Sequence, residues 1–354
     1  MEFGLFTEFS CPKGTDHTVA FDEAMTEMTQ AEALGYDAVW LAEIHFQRDR
    51  SVLASPYVIA AAIAARTRRV KIGLAVSVLP LAHPLHLAED AATVDQLSHG
   101  RLDFGVGRSG LPEHYSGFGI PYAESRERFF ETLEIVRKAW TEERFSHEGK
   151  YFKFRDVCVM PKPYQKPHPP IRVAATIDET YPLVGRMGLP IFLAIRTTPV
   201  AQLERCIGSY QEAWKAAGHP GRGPVALIVP VYVADTAQAA RDEPEASMMY
   251  FLRSIGDMLA RGTTNRVADG ERLLRVSYDE VLKELAVYGT PEAVADRLVE
   301  LREALGYSSL VLWMNSGGQV PHERVVRSMR LFAERVTPRL GGGLRPPSDG
   351  RERA

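Results

Sequence analysis

Glu43 and His45 stand two residues apart in the run Glu43-Ile44-His45-Phe46. An imidazole titrates near neutral pH and a carboxylate beside it can orient it, so the pair suits proton transfer. The other reading is a histidine that caps a strand through the backbone. His83 and His86 are three apart and can share a helix face, but no third ligand or carboxylate completes a metal set. A structural or substrate-lining role is expected for them, and no metal. Gly105-Val106-Gly107-Arg108-Ser109-Gly110 spells G-x-G-x-x-G. That fingerprint must open a helix, yet Leu111 to Pro121 holds two prolines and two glycines. No acidic residue ends a following strand about twenty residues on, as dinucleotide binding requires. What remains is a small-residue loop that lets a flat ligand approach the backbone. It carries Arg108, whose planar fork matches phosphate oxygens, with a structural ion pair as the alternative. Arg126, in Glu124-Ser125-Arg126-Glu127-Arg128, opens a helix against its dipole and needs either an anion or solvent. Thr176 and Thr180 flank the start of another predicted helix. Hydroxyls and N–H groups there form an anion site, or Thr176 is only the N-cap.

These residues need a scaffold, and the hydrophobic pattern supplies one. Apolar strand-like runs occur at 3–6, 37–42, 70–79, 102–106, 171–175, 190–194, 225–233 and 309–314. The run 37–42 has no polar alternation after Asp37, as parallel strands buried on both faces show. Helical periodicity falls between them, at 16–34, 56–65, 84–97, 123–140, 291–305 and 320–336. Gly35 reads as a helix stop. The aromatic, proline-bounded segment 144–163 predicts a small hairpin insertion. The stretch 237–287 reads as mostly helical, with no strand. Eight alternations point to an α/β fold, a (β/α)8 TIM barrel with insertions, rather than a doubly wound sheet. Catalytic groups then belong at the C-terminal ends of the strands, where Glu43, His45, Arg108 and Thr176 all fall. Residues 1–340 read as one domain. The Gly-, Pro- and charge-rich stretch 341–354 reads as a disordered tail.

Composition narrows the function. Of 354 residues, 42 are basic and 45 acidic, giving a net charge of −3. No global basic field exists to draw nucleic acid or an anionic membrane. The basic run Arg66 to Arg69 sits at a helix end, where cations suit the dipole. The most apolar stretch, 57–65, is far short of a membrane span. The N-terminus is too short and acidic for a signal peptide. Cys11, Cys158 and Cys206 are far apart, with neither zinc nor disulfide spacing. A reduced cytoplasmic compartment is expected.

Taken in order, the motifs resemble those of the bacterial luciferase-like flavin-dependent monooxygenase family along nearly the whole chain. The matching pieces are Val39 to Phe46, Val78 to Pro84 with Glu89-Asp90, Asp95 to Arg101, and Phe104 to Arg108. Glu124-Ser125-Arg126, Pro161-Lys162-Pro163, Pro169-Pro170-Ile171, Glu179-Thr180, Tyr288 to Glu292 and Pro321-His322-Glu323 continue the series. The resemblance implies a dimeric (β/α)8 barrel that binds FMN at the strand C-termini, dimerising through its second and third helices. It implies that Arg108, Arg126, Thr176 and Thr180 bind the phosphate. It also implies that the Ala75–Val76 backbone lies beside the flavin ring, often through a cis peptide. Reduced FMN, delivered by a separate NAD(P)H:flavin reductase, would react with dioxygen. A small organic substrate would then be oxygenated through a C4a-(hydro)peroxyflavin. His45, oriented by Glu43, is the catalytic proton-transfer candidate. Ile44 replaces the first of two histidines common in the family, Gly107 replaces luciferase's reactive cysteine, and Ile177 stands where relatives often have serine. These departures argue against light emission from a long-chain aldehyde. The alternatives are a deazaflavin-dependent oxidoreductase on the same barrel, a non-catalytic flavin-binding protein, or a metal-dependent hydrolase using His45, His83 and His86. The segments 111–121 and 237–287 are expected to cover the barrel mouth. Met248, Met249, Tyr250 and Phe251 are read as packing a helix rather than lining a substrate pocket.

Overall fold

The computed structural model describes residues 1–195, 198–261 and 266–341. The tail read at 341–354 therefore lies outside the described residues, apart from Gly341. Strands β1 (Glu2–Thr7), β2 (Ala38–Leu41), β3 (Lys71–Leu74), β5 (Leu102–Gly107), β8 (Ile171–Ala174), β9 (Ile191–Ala194), β10 (Val225–Val233) and β12 (Ser309–Trp313) close on one another in that order. Every neighbouring pair is parallel, and β12 returns to β1. The result is a (β/α)8 barrel. Its strands are mostly apolar because helices cover their outer faces while side chains fill the inside, and the charges they do carry at Asp103 of β5 and Arg172 of β8 pair with each other at 2.9 Å.

Trp40 shows how the interior is filled. Its indole lies over Gly4 of β1 and Gly73 of β3, and a Cβ at either glycine would collide with the ring. A large residue on one strand is accommodated by absent side chains on both neighbours. Gly105 has a related cause, since a Cβ there would overlap the carbonyl oxygen of Leu74. That neighbour is backbone and cannot rotate away. Gly105→Ala should therefore cost about 1–3 kcal/mol in urea unfolding, as overpacking does. An unchanged midpoint would show that β3 and β5 can separate freely.

Helices α1 (His17–Ala33), α2 (Pro56–Arg66), α3 (Pro84–Leu97) and α5 (Ser125–Thr141) alternate with the first strands. Asp16 caps α1 by accepting the Thr18 N–H at 2.7 Å, and Gly35 follows the helix at φ 91°. Arg66 falls in the last turn of α2 and donates to the Ala62 carbonyl. The backbone N–H groups of Arg68, Arg69 and Val70 all bind the Glu32 carboxylate. The hairpin insertion is β6 (Phe145–Glu148) against β7 (Lys153–Val157), antiparallel.

Four details differ from the sequence reading. The run 70–79 is interrupted: β3 ends at Leu74, the Ala75–Val76 peptide is cis, and β4 (Ser77–Val78) resumes pairing with β5. The segment 111–121 holds a short helix, α4 (Pro112–Gly117). Pro112 fixes its first turn, and six residues are too few for periodicity to register. After α6 (Thr180–Arg186) and α7 (Val200–Ala216), the stretch 237–287 divides into α8 (Ala237–Arg261), α9 (Val267–Arg275) and α10 (Tyr278–Glu284). It also ends in a strand, β11 (Val287–Gly289), which pairs with β10. β10 changes partner from β9 at residues 225–228 to β11 at 231–233. Pro230 lies between the two registers, where its missing N–H breaks neither ladder. Helices α11 (Pro291–Leu305) and α12 (His322–Leu331) complete the outer ring.

Candidate active site

A cavity of about 460 Å³ opens at the C-terminal end of the barrel. Glu43, Ala75, Val76, Arg108, Arg126, Thr176 and Thr180 all line it. Residues as far apart in sequence as Glu43 and Thr180 meet here because parallel strands deliver all their C-terminal loops to one face.

Arg108 follows β5 and donates through one guanidinium nitrogen to the Ser125 hydroxyl at 2.9 Å. Its guanidinium also lies over the Tyr122 ring, 5.7 Å from the centroid. Arg126, in the first turn of α5, is exposed and has no hydrogen-bond or ion-pair partner among the described residues. Neither arginine meets a carboxylate there. Thr176 is not a helix cap, because α6 begins at Thr180 with Glu179 at its N-cap. The hydroxyls of Thr176 and Thr180 are thus free to face the cavity. Gly107 belongs to the wall for a local reason: a Cβ there would meet the Val76 side chain. Two of the three glycines in the G-x-G-x-x-G run therefore answer to close contacts in and beside the sheet.

Glu43 is held from both sides. One carboxylate oxygen receives the Val78 N–H at 2.9 Å, and the other meets His45 Nε2 at 2.9 Å. The loop after β2 is thereby tied to β4. His45 is largely buried and packs edge-on against Phe118 at 4.9 Å and His114 at 5.7 Å. Glu43 and Ile44 line the cavity, whereas His45 is not among its lining residues. His83 and His86 stand 5.6 Å apart at the start of α3, with His83 against Phe152 and Phe154 of the hairpin. Among the described residues, no group of three His, Cys, Asp or Glu is placed to hold a metal. No helix there is long and apolar enough to cross a membrane.

Among the lining residues that escaped the sequence reading, three stand out. Glu8, just past β1, is 1% exposed and forms a bidentate pair with Arg50, whose Nη2 lies 2.7 Å from Glu8 Oε2. The strand-end rule could have found Glu8, but no local signal joins it to Arg50. The third is His114 on α4, 2% exposed. Helix α4 is fastened to the exit of β5 by the Tyr115 hydroxyl, which donates to the Arg108 carbonyl, and by Ser109 Oγ, 3.2 Å from His114 Nδ1. It covers part of the mouth, as expected of 111–121. From the other side Ile255, Met258 and Leu259 of α8 reach the cavity. Met248 and Phe251 pack in the core instead, Phe251 against Trp313 at 4.7 Å, and Tyr250 donates to the Asp49 carbonyl.

Burial, with His45 and Arg50 nearby, pushes the His114 imidazole down from 6.5 to about 4. Folded His114 stays neutral where the same residue in the unfolded chain takes up a proton. Its contribution is therefore complete above pH 6.5 and is lost as pH falls toward about 4. At about 1.4 kcal/mol per unit, the loss is about 3 kcal/mol. His114→Gln should flatten this acid arm when urea-unfolding free energies are measured against pH. An unaltered slope would assign the titration to other groups.

Comparison with known proteins bears on the family and the fold. A family model described as luciferase-like monooxygenase matches residues 1–308. The chain is 26% identical over 347 residues to the oxygenase component of the flavin-dependent trigonelline monooxygenase of Acinetobacter baylyi, covering 96% of this chain and 95% of the relative. Monooxygenase RslO1 from Streptomyces bottropensis has the same fold, with a TM-score of 0.82 at 31% identity over 96% of this chain and 99% of that one. The oxygenating constituent of 3,6-diketocamphane monooxygenase from Pseudomonas putida, a type II Baeyer–Villiger enzyme solved with FMN, shares the fold at a TM-score of 0.83 and 23% identity, over 96% and 98% of the two chains. On the match of the family model to residues 1–308, the chain belongs to the luciferase-like monooxygenase family.

Proposed function

We propose that the chain is the oxygenase component of a two-component monooxygenase that uses reduced FMN and dioxygen on a small organic substrate. One convergence carries this reading: two arginines without carboxylate partners and two threonine hydroxyls share the wall of a cavity whose remaining lining is largely apolar. The donor set fits a phosphate monoester, since Arg108 and Arg126 supply charge and Thr176 and Thr180 supply hydroxyls. The small residues Ala75, Val76, Gly107 and Ala174 leave room for a flat ring against the backbone. Bound reduced FMN supplies the electrons that activate dioxygen for transfer of one oxygen atom to the substrate.

The chain's own residues do the rest. Ile44, Phe192, Ile228 and Leu259 in the wall keep water from the reacting centre. Glu43, in the cavity wall, fixes the His45 ring through Nε2, and His45 behind it holds the proton it shares with that carboxylate. A separate NAD(P)H:flavin reductase supplies the reduced flavin, a reading supported by the relative named as an oxygenase component. Dimerisation through α2 and α3 is supported by Val58 and Leu97, large apolar side chains on these helices that are 66% and 56% exposed. A cytoplasmic location is consistent with three free cysteines.

Anaerobic equilibrium dialysis against reduced FMN, oxidised FMN and a reduced deazaflavin tests the cofactor. The expected outcome is tightest binding of reduced FMN, followed on aeration by slower peroxide release than from free reduced FMN. His45→Ala should keep FMN affinity and change the pH dependence of that release. Selective deazaflavin binding with indifference to dioxygen would overturn the reading in favour of hydride transfer.

A further inference from the structure

Ala75 and Val76 line the cavity between the end of one paired stretch and the start of the next. Upstream, the Ala75 N–H still donates to the Leu41 carbonyl at 2.7 Å, so β2 holds that end. Downstream the anchor is β4, which has only Ser77 and Val78. Two residues are fewer than an ordinary strand uses to hold its place. Val76 also sits where a Cβ of Gly107 would be. A small shift of β4 therefore reaches the cavity wall directly.

Two side chains reinforce this anchor from opposite sides. The Glu43 carboxylate, in the cavity wall, accepts the Val78 N–H at 2.9 Å. Tyr57, in the first turn of α2, places its hydroxyl 2.8 Å from Ser77 Oγ. Val76 and Val78 face the cavity, so Ser77 between them faces outward to the helix, as strand alternation requires. Ser77 is fully buried. Tyr57 is the one hydrogen-bond partner of its hydroxyl among the described residues. A buried hydroxyl left unpaired is costly, so β4 is held to the register that keeps this bond. Burial, with the Glu43 and Asp90 carboxylates nearby, pushes the Tyr57 phenol well above its usual value. The phenol stays protonated, and the bond persists through the neutral range.

We propose that Tyr57 is a positioning residue: through Ser77 it fixes Ala75 and Val76 where a flavin ring lies flat against them. Tyr57 is not in the cavity wall and touches neither ring nor substrate. This assignment rests on the proposed function for the identity of the ring, and on the hydrogen bond for the placement of the wall.

The test compares Tyr57→Phe, Ser77→Ala and the double variant with the unaltered chain. Amide hydrogen exchange at residues 75–78 is followed without flavin. Riboflavin and FMN affinities are measured by fluorescence titration, and stability by urea unfolding. Each single variant should speed exchange at Val76 and Ser77 and weaken riboflavin and FMN alike. The expected loss is about 2–10-fold, the net effect of one hydrogen bond. In the double variant no hydroxyl is left unpaired, so the urea midpoint should return toward that of the unaltered chain. Flavin affinity should stay low, because nothing then fixes the wall. Recovery of flavin affinity together with the midpoint would mean that the bond only stabilises the fold, and overturns the proposal. Unchanged flavin affinity in both single variants overturns it too, with the flavin reading intact. If the unaltered chain binds neither flavin, the flavin reading falls. Faster exchange in Tyr57→Phe then upholds the fastening of the wall, and unchanged exchange overturns that as well.

Discussion

Replacing Arg108 and Arg126 together by methionine should weaken reduced-FMN binding by about 100-fold or more, while riboflavin binds the variant and the unaltered protein alike. Each charge-assisted hydrogen bond to a phosphate contributes about 1.5–3 kcal/mol. Arg126 is exposed, so the lower end of that range applies to it. Two such losses add to about 3 kcal/mol, which is about 100-fold in a dissociation constant. Riboflavin lacks the phosphate and so reports the ring site alone. Fluorescence titration of both ligands under anaerobic conditions gives the comparison. If riboflavin weakens in parallel with FMN, the arginines shape the cavity rather than bind an anion.

The second large effect concerns stability. Glu8→Ala should lower the unfolding free energy by about 3 kcal/mol, because it leaves the Arg50 guanidinium without its counter-charge in a site where removing one partner costs about 3–5 kcal/mol. Arg50 is 12% exposed and faces a cavity that admits water, which places the expected loss at the low end. Removing both charges with side chains of similar size, Glu8→Leu with Arg50→Met, should recover most of the stability. The pair's attraction roughly offsets its own desolvation. Urea titrations of the two variants decide the matter. A double variant as unstable as the single one would mean that packing, not charge, holds the site.

The two arginines are legible in the sequence as candidate residues of the mouth, and the buried pair is not. Arg108 and Thr176 follow apolar runs that can only be buried strands, and in a parallel barrel every strand delivers its C-terminal loop to one mouth. Glu8 and Arg50 are separated by 42 residues. Their pairing exists only because β1 and the loop after β2 are neighbours in the closed sheet.

The sequence by itself determined the barrel, since strands covered on both faces must be mostly apolar and helices with one covered face must be striped. Seven of the eight barrel strands lie within one residue of their predicted ends. The hairpin and the helix caps at Asp16 and Gly35 follow from side-chain and backbone chemistry a few residues long. Tertiary structure alone decided the rest. Nothing polar stands between Ile72 and Val76, yet pairing stops at Leu74 and resumes at Ser77 against β5. The three-residue β11 exists because β10 offers it a free edge, and the six-residue α4 because the exits of β2 and β5 hold it down. His114 acquires its buried, neutral, unpaired nitrogen from that placement. Burial and charge pairing depend on which surfaces meet, and no window of sequence contains both surfaces.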